Sequence, residues 1–204
     1  MSLVQPAPRL SEVEYLAIER RAEFKSEFFD GEMFAMAGGT LEHSLIATNL
    51  ARELGNRLRG TPCIPFNSDL RIKIEATGLL TYPDISVICG APRFAEDTAD
   101  TAVNPSVLVE VLSESTEAYD RGKKFEHYSQ IPTLREYLLV SQTEPRIEQF
   151  LRQADERWLW TAANGTDSKL EIPSLGISIT LSEVFANVKF PPAPLREIAA
   201  ARRV

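Results

Sequence analysis

Val107-Leu108-Val109-Glu110-Val111-Leu112 is the stretch from which the fold is read. Side chains alternate along a strand, so Val107, Val109 and Val111 point one way and Leu108, Glu110 and Leu112 the other. Apolar residues on both sides predict a central strand covered on both faces. Downstream, the segment from about Glu117 to Gln130 reads as a helix, with Pro132 just past its end. Upstream, Ile85, Val87 and Cys89 alternate with Asp84, Ser86 and Ile88 in a second strand. Before it, Leu70, Ile72 and Ile74 form the apolar side of a third strand, half-buried, with Asp69, Arg71 and Lys73 on its polar side. Thr77-Gly78 marks the turn between the last two.

The pattern continues outward. Ser11 and Glu14 have capping-box spacing, which opens a helix running to about Phe24. Asp30-Gly31 between apolar runs predicts a hairpin, because glycine accepts positive φ. Thr40 is placed to cap a second helix, whose stripe is Leu45, Ile46, Leu50, Leu54 and Leu58, and Gly60 ends it. Residues 90–104 read as irregular, with room for a short helix. Tyr137 to Val140 reads as a strand, and segments near 146–151 and 157–161 as a hairpin. Asn164-Gly165 is a turn, Ile177 and Ile179 close the sheet, and Leu181 to Phe185 form a helical turn. Trp158 and Trp160 are expected to pack on the sheet face. The expected organisation is a tail at 1–10, one domain at 11–187, and a Pro-rich, basic tail at 188–204.

Composition agrees with one domain, since 204 residues suit one core better than two. Apolar residues make up 44% and charged residues 25%, the balance of an ordinary globular chain. No window is apolar enough to span a bilayer, and Met1 to Pro8 lack the pattern of a signal peptide. The expectation is therefore a cytoplasmic protein with no membrane association. Cys63 and Cys89 lie in apolar stretches and read as small buried hydrophobes. Without a CxxC or a His/Cys cluster, zinc is not expected. No Walker A or GxGxxG motif implies a nucleotide cofactor, and no Ser-His-Asp spacing implies a triad. The net charge of −7 argues against a phosphate-binding surface, but carboxylates that hold a cation count as negative while the cation is ignored.

Two strand carboxylates stand out. Asp84 follows Pro83 at a strand start, and Glu110 sits between Leu108 and Leu112 on one face. An ionised carboxylate on an apolar face is costly unless it is paired or binds a metal. A buried ion pair with Arg or Lys is one reading. A divalent-metal site is the other, since Mg²⁺ takes carboxylate and water oxygens and needs only one or two carboxylates. The run Asp120-Arg121-Gly122-Lys123-Lys124-Phe125-Glu126-His127-Tyr128 returns a lysine from the following helix. At ~100° per residue, Phe125, Tyr128 and Pro132 share a face toward the sheet, Lys124 lies at its rim and Lys123 points to solvent. Phosphodiester hydrolysis needs a metal to activate water and a cation to hold it, and Lys124 is placed to be that cation.

Together, Tyr82-Pro83-Asp84, Val109-Glu110-Val111-Leu112-Ser113, Asp120 with Lys124 and Tyr128, and Glu136-Tyr137 resemble a bacterial branch of the PD-(D/E)XK nucleases, labelled restriction endonuclease-like. Ser26 to Glu32, His43 and Asn67-Ser68-Asp69-Leu70-Arg71 resemble it too, so the likeness spans about residues 11–187. It implies an α+β fold: a restriction-endonuclease-like core with a mixed central sheet flanked by helices and additional antiparallel C-terminal strands. It also implies a metal-dependent endonuclease acting on DNA, with Asp84 and Glu110 on Mg²⁺ (or Mn²⁺) and Lys124 as the third catalytic residue. The superfamily strand carries acid, any residue, lysine; here Leu112 stands where the lysine belongs, and Lys124 is its expected replacement. Glu27 completes the metal shell or is a solvated charge. His43 serves the site or is a structural hydrogen-bonding group. Asp69 joins the site or pairs with Arg71. Arg71, Lys73, Arg121 and Lys123 are candidates for contact with the nucleic-acid backbone. RNA as substrate and a homodimer stay open, the latter by analogy alone. The rival reading is a noncatalytic binding or scaffold protein on the same fold.

Overall fold

The computed structural model describes residues 9–96 and 98–191. The tails expected at 1–10 and 188–204 fall largely outside that range. Helix α1 (Glu12–Glu19) opens with the expected capping box between Ser11 and Glu14. Strands β1 (Ser26–Phe29) and β2 (Glu32–Ala35) form the hairpin around Asp30 and Gly31, both at positive φ (51° and 82°). Helix α2 (Leu41–Arg57) starts at Thr40, whose hydroxyl accepts from the His43 amide at 3.1 Å. Strands β3 (Cys63–Asn67), β4 (Arg71–Ile74), β5 (Leu79–Thr81), β6 (Ile85–Cys89), β7 (Thr101–Ala102) and β8 (Val107–Val111) follow. After the helical segment at 117–128 come β9 (Glu136–Val140), β10 (Arg146–Arg152), β11 (Trp158–Asn164), β12 (Lys169–Ile172) and β13 (Ile177–Thr180), then the short helix at Leu181–Val184.

Six strands form a mixed sheet in the order β11-β10-β9-β8-β6-β3, in which β8 and β9 run parallel. Five strands form a second sheet, β2-β1-β5-β4-β7. The two faces of β8 match its sequence. Val107, Val109 and Val111 join a core with Ile46, Leu50, Leu54 and Leu58 of α2, so the apolar stripe of that helix covers one face. Leu108 and Leu112 join a second core with Ile72, Ile74 and Leu79 of the five-stranded sheet and with Tyr128 and Ile131. Glu110 is thus a carboxylate set between two leucines on a covered face.

Several expectations change. Strands β3, β5, β7 and β12 were not legible as strands. The segment at 90–104 contains β7 where room for a short helix was expected, and Ala95 and Val103 hydrogen-bond within it as sheet-like backbone. Ile177 and Ile179 belong to a separate hairpin of β12 with β13, not to the main sheet, although Ile179 still packs on the first core. Arg71 is not on a solvated face: it is 3% exposed, because its guanidinium donates to the Thr101 and Tyr82 hydroxyls (2.9 and 2.7 Å) and pairs with Asp100 (3.0 Å). Of the two tryptophans, Trp158 packs edge-on against Phe125 but Trp160 is 50% exposed. Cys63 and Cys89 are half-buried and joined as a disulfide, because antiparallel β3 and β6 place them directly opposite each other. The reading of two separate buried hydrophobes was wrong, since it depended on not knowing that pairing. Among the described residues no helix is long and apolar enough to cross a membrane.

Candidate active site

The register of β6 with β8 pairs Ile85 with Val109, which carries Asp84 to the position opposite Glu110. Ile85 and Val87 face the first core, so Asp84, like Ile88, turns to the other face, the one Glu110 shares. Strand β1 brings Glu27 to the same place, and the helical segment brings Asp120 and Lys124. These groups, with His43, line a cleft of about 1000 Å³.

The expected single helix is instead three pieces: an α turn at Glu117–Tyr119, a π turn at Asp120–Lys124, and a second α turn at Phe125–Tyr128. π turns are rare and cluster at functional sites. This one buries Asp120 (3% exposed) and Lys124 (5%) together while Lys123 stays outside, paired with Glu126 at 2.9 Å. The Tyr137 hydroxyl donates to the Asp120 carbonyl at 3.1 Å and gives the widened backbone a partner.

The Lys124 ammonium is the hub. Its Nζ lies 3.0 Å from Glu110 Oε1, 3.1 Å from Glu27 Oε1 and 3.4 Å from Asp120 Oδ1. All three are ion-pair contacts, and Asp120 Oδ1 is a buried oxygen with no hydrogen-bond partner among the described residues. Burial works to lower the lysine's pKa, but the three carboxylates outweigh it and hold Lys124 well above the usual lysine range. The Tyr128 hydroxyl donates to Glu110 Oε1 at 2.7 Å, and the Thr81 hydroxyl to Glu27 Oε1 at 2.5 Å. Burial pushes Glu110 up to about 8, against the pull of Lys124 and with the push of Asp120 and Asp84. Burial likewise raises Asp120.

Asp84 is held differently. Its Oδ2 accepts from the Val111 amide at 2.7 Å and lies 3.2 Å from His43 Nε2. The hydrogen bond to Asp84 holds the His43 pKa above its ordinary value, against burial. Among the described residues, Asp84 Oδ1 and Glu110 Oε2 take no hydrogen bond, so each carboxylate has one oxygen anchored and one without a partner. The donor set therefore suits a hard cation that keeps most of its waters, which asks for one or two carboxylates. It does not make an all-protein cage: among the described residues no group of three His, Cys, Asp or Glu side chains is gathered for a metal. Four buried or half-buried carboxylates face one buried ammonium, and a bound dication would favour their ionised forms.

The structure thus brings Asp84, Glu110, Lys124, Glu27 and His43 together. Asp69 stays away: its side chain is 74% exposed, and it pairs with Lys25 at 2.5 Å rather than with Arg71. The cations expected to contact a nucleic-acid backbone are occupied as well. Lys73 pairs with Glu12 (2.7 Å), and Arg121 with Glu117 and Glu148 (2.9 and 2.5 Å). Asp120, Tyr128 and Thr81 were not singled out as site residues. The four-residue spacing of Asp120 and Lys124 was the available signal for the first; Thr81 had none.

A family profile described as "putative restriction endonuclease" matches residues 13–182. The chain belongs to this family, Uma2. The Uma2 match takes in every element that lines the cleft. An uncharacterised protein of Synechocystis is 42% identical over 185 residues, covering 91% of this chain and 96% of that protein. A second from the same organism is 35% identical over 177 residues, covering 87% of this chain and all of that protein. A crystal structure described as a putative nuclease belonging to DUF820, from Anabaena variabilis, superposes with a TM-score of 0.69. It is 18% identical and covers 85% of this chain and 96% of that one, a likeness of fold. The restriction-endonuclease-like α+β fold implied by the sequence is the fold observed.

Proposed function

We propose that this Uma2 protein is a Mg²⁺- or Mn²⁺-dependent endonuclease that hydrolyses phosphodiester bonds in DNA. The observation that supports it most is the delivery of Lys124 from the π turn to within 3.0 Å of Glu110, on the strand beside Asp84. A helix-borne lysine stands where the strand offers only Leu112. Asp84 and Glu110 would hold the ion, which when bound polarises a phosphoryl oxygen and makes water easier to deprotonate.

The chain's own residues do the rest. The Val111 amide and His43 fix Asp84, and Tyr128 fixes Glu110, so both carboxylates are presented without reorganisation. Lys124 donates to the attacking water and meets the charge that grows on the phosphate. Glu27 and Asp120 keep that ammonium charged and in place.

The test is incubation of covalently closed circular DNA, in single-stranded and duplex forms, with Mg²⁺, Mn²⁺ or EDTA. Linear or shorter products with either ion and none in EDTA are expected, and calorimetry should show an ion-binding site that Asp84→Ala removes. No cleavage of either form, with no ion binding, would return the chain to the noncatalytic scaffold reading.

A further inference from the structure

We infer that the DNA this site takes is an unpaired strand, gripped by stacking of a nucleobase on Phe34 beside the carboxylates. The inference rests on the nuclease reading above. Strands β1 and β2 pair Glu27 directly with Phe34. Directly opposed residues share a face, with Cβ atoms roughly 4.5–5.5 Å apart. Phe34 is therefore the cross-strand neighbour of a carboxylate that lies 3.1 Å from Lys124. Phe29, two residues along β1, lies on the same face and meets the His127 ring edge-on at 4.7 Å. Phe34 is 48% exposed and is one of the residues that line the cleft.

A single exposed phenylalanine needs no explanation by itself. Here its position beside the carboxylates is what matters. A duplex is gripped mostly through phosphates on both strands. Arg71 is buried, and Lys73 and Arg121 are paired with glutamates, which leaves Lys123, in an exposed pair with Glu126 at the cleft, as the one of these four that faces it. A single strand carries fewer phosphates than a duplex of the same length, and each of its bases has a face that can stack on an aromatic ring, a contact a paired base does not offer. A base inside a duplex is already stacked between its neighbours, and turning it toward Phe34 would cost its pairing and stacking. An unpaired nucleotide can lay its base on Phe34 while the adjoining phosphodiester lies over Asp84, Glu110 and Lys124. Gly38, where an added Cβ would meet nothing within 4 Å, leaves the cleft wall open for its passage.

The experiment is fluorescence anisotropy in EDTA at low salt, with a labelled single-stranded oligonucleotide and the duplex of the same sequence. The single strand should bind at least tenfold more tightly, roughly the effect of one stacked base. Phe34→Ala should weaken single-strand binding roughly 5- to 150-fold, leave duplex binding unchanged, and retain the parent's circular dichroism. Phe34→Trp should keep single-strand affinity. Equal or tighter duplex binding, or a Phe34→Ala protein that binds the single strand like the parent, overturns the inference and leaves the nuclease reading intact. Phe34-dependent single-strand binding without cleavage of any form in Mg²⁺ or Mn²⁺ supports the inference and overturns the nuclease reading alone.

Discussion

Replacing Lys124 by methionine isolates the charge at the centre of the site. The side chain is 5% exposed, and its ammonium faces Glu110, Glu27 and Asp120 within 3.0–3.4 Å. Methionine fills similar volume, so the change removes charge and little packing. Breaking a buried ion pair from one side costs about 3–5 kcal/mol, because the partner is left buried and uncompensated. Three partners are affected here, but they can protonate, and that sets the pH dependence. At pH 8 the carboxylates must stay charged or take up protons at a cost; at pH 5 protonation is cheap, and Glu110 is already neutral, its pKa being about 8. For a chain of this size ~1 kcal/mol moves the melting temperature by roughly 2–4 °C, so Lys124→Met should melt roughly 6–20 °C below the parent at pH 8. The gap should narrow at pH 5. Thermal melts in EDTA at the two pH values measure both quantities. A gap below about 1 kcal/mol at pH 8, or one equal at both pH values, would refute the picture of a lysine neutralising three buried carboxylates.

Three further outcomes are expected. Lys124→Met should keep the ion-binding heat seen by calorimetry and lose cleavage, whereas Lys123→Met, which alters only an exposed pair, should keep both; equal cleavage by the two variants would remove Lys124 from the chemistry. Because the folded pKa of Glu110 lies above its ordinary value, its contribution to stability is complete below about 4.5 and fades as pH rises through about 8. Glu110→Gln, which stays neutral, should flatten that decline in EDTA, and an unchanged slope would contradict the assigned environment. Reducing the Cys63–Cys89 bridge, which closes a loop of sequence separation 26, should lower stability by roughly 3 kcal/mol, read as a melting shift with and without dithiothreitol.

The central strand was legible because its two-sided apolar pattern has one physical solution, burial on both faces, and the cores on either side of Val109 confirm it. The Asp30-Gly31 hairpin and the Ser11 and Thr40 caps were legible for the same kind of reason: local backbone chemistry with few alternatives. Lys124 could be aimed at the sheet from helical angles alone, as the rim of a face marked by Phe125 and Tyr128. The sequence could not show the π turn, since no local pattern separates it from an α turn and its support comes from Tyr137, on another strand. Short strands such as β5 and β7 carry too few residues for a period to emerge. The fates of Arg71, Asp69 and the two cysteines were decided by partners distant in sequence: Asp100 and Tyr82, Lys25, and the register of β3 on β6. Periodicity reports which way a side chain points, but burial, pairing and bonding depend on what another segment brings to meet it, and only the tertiary structure brings Glu27, Glu110 and Asp120 around one ammonium with Asp84 in the same cleft.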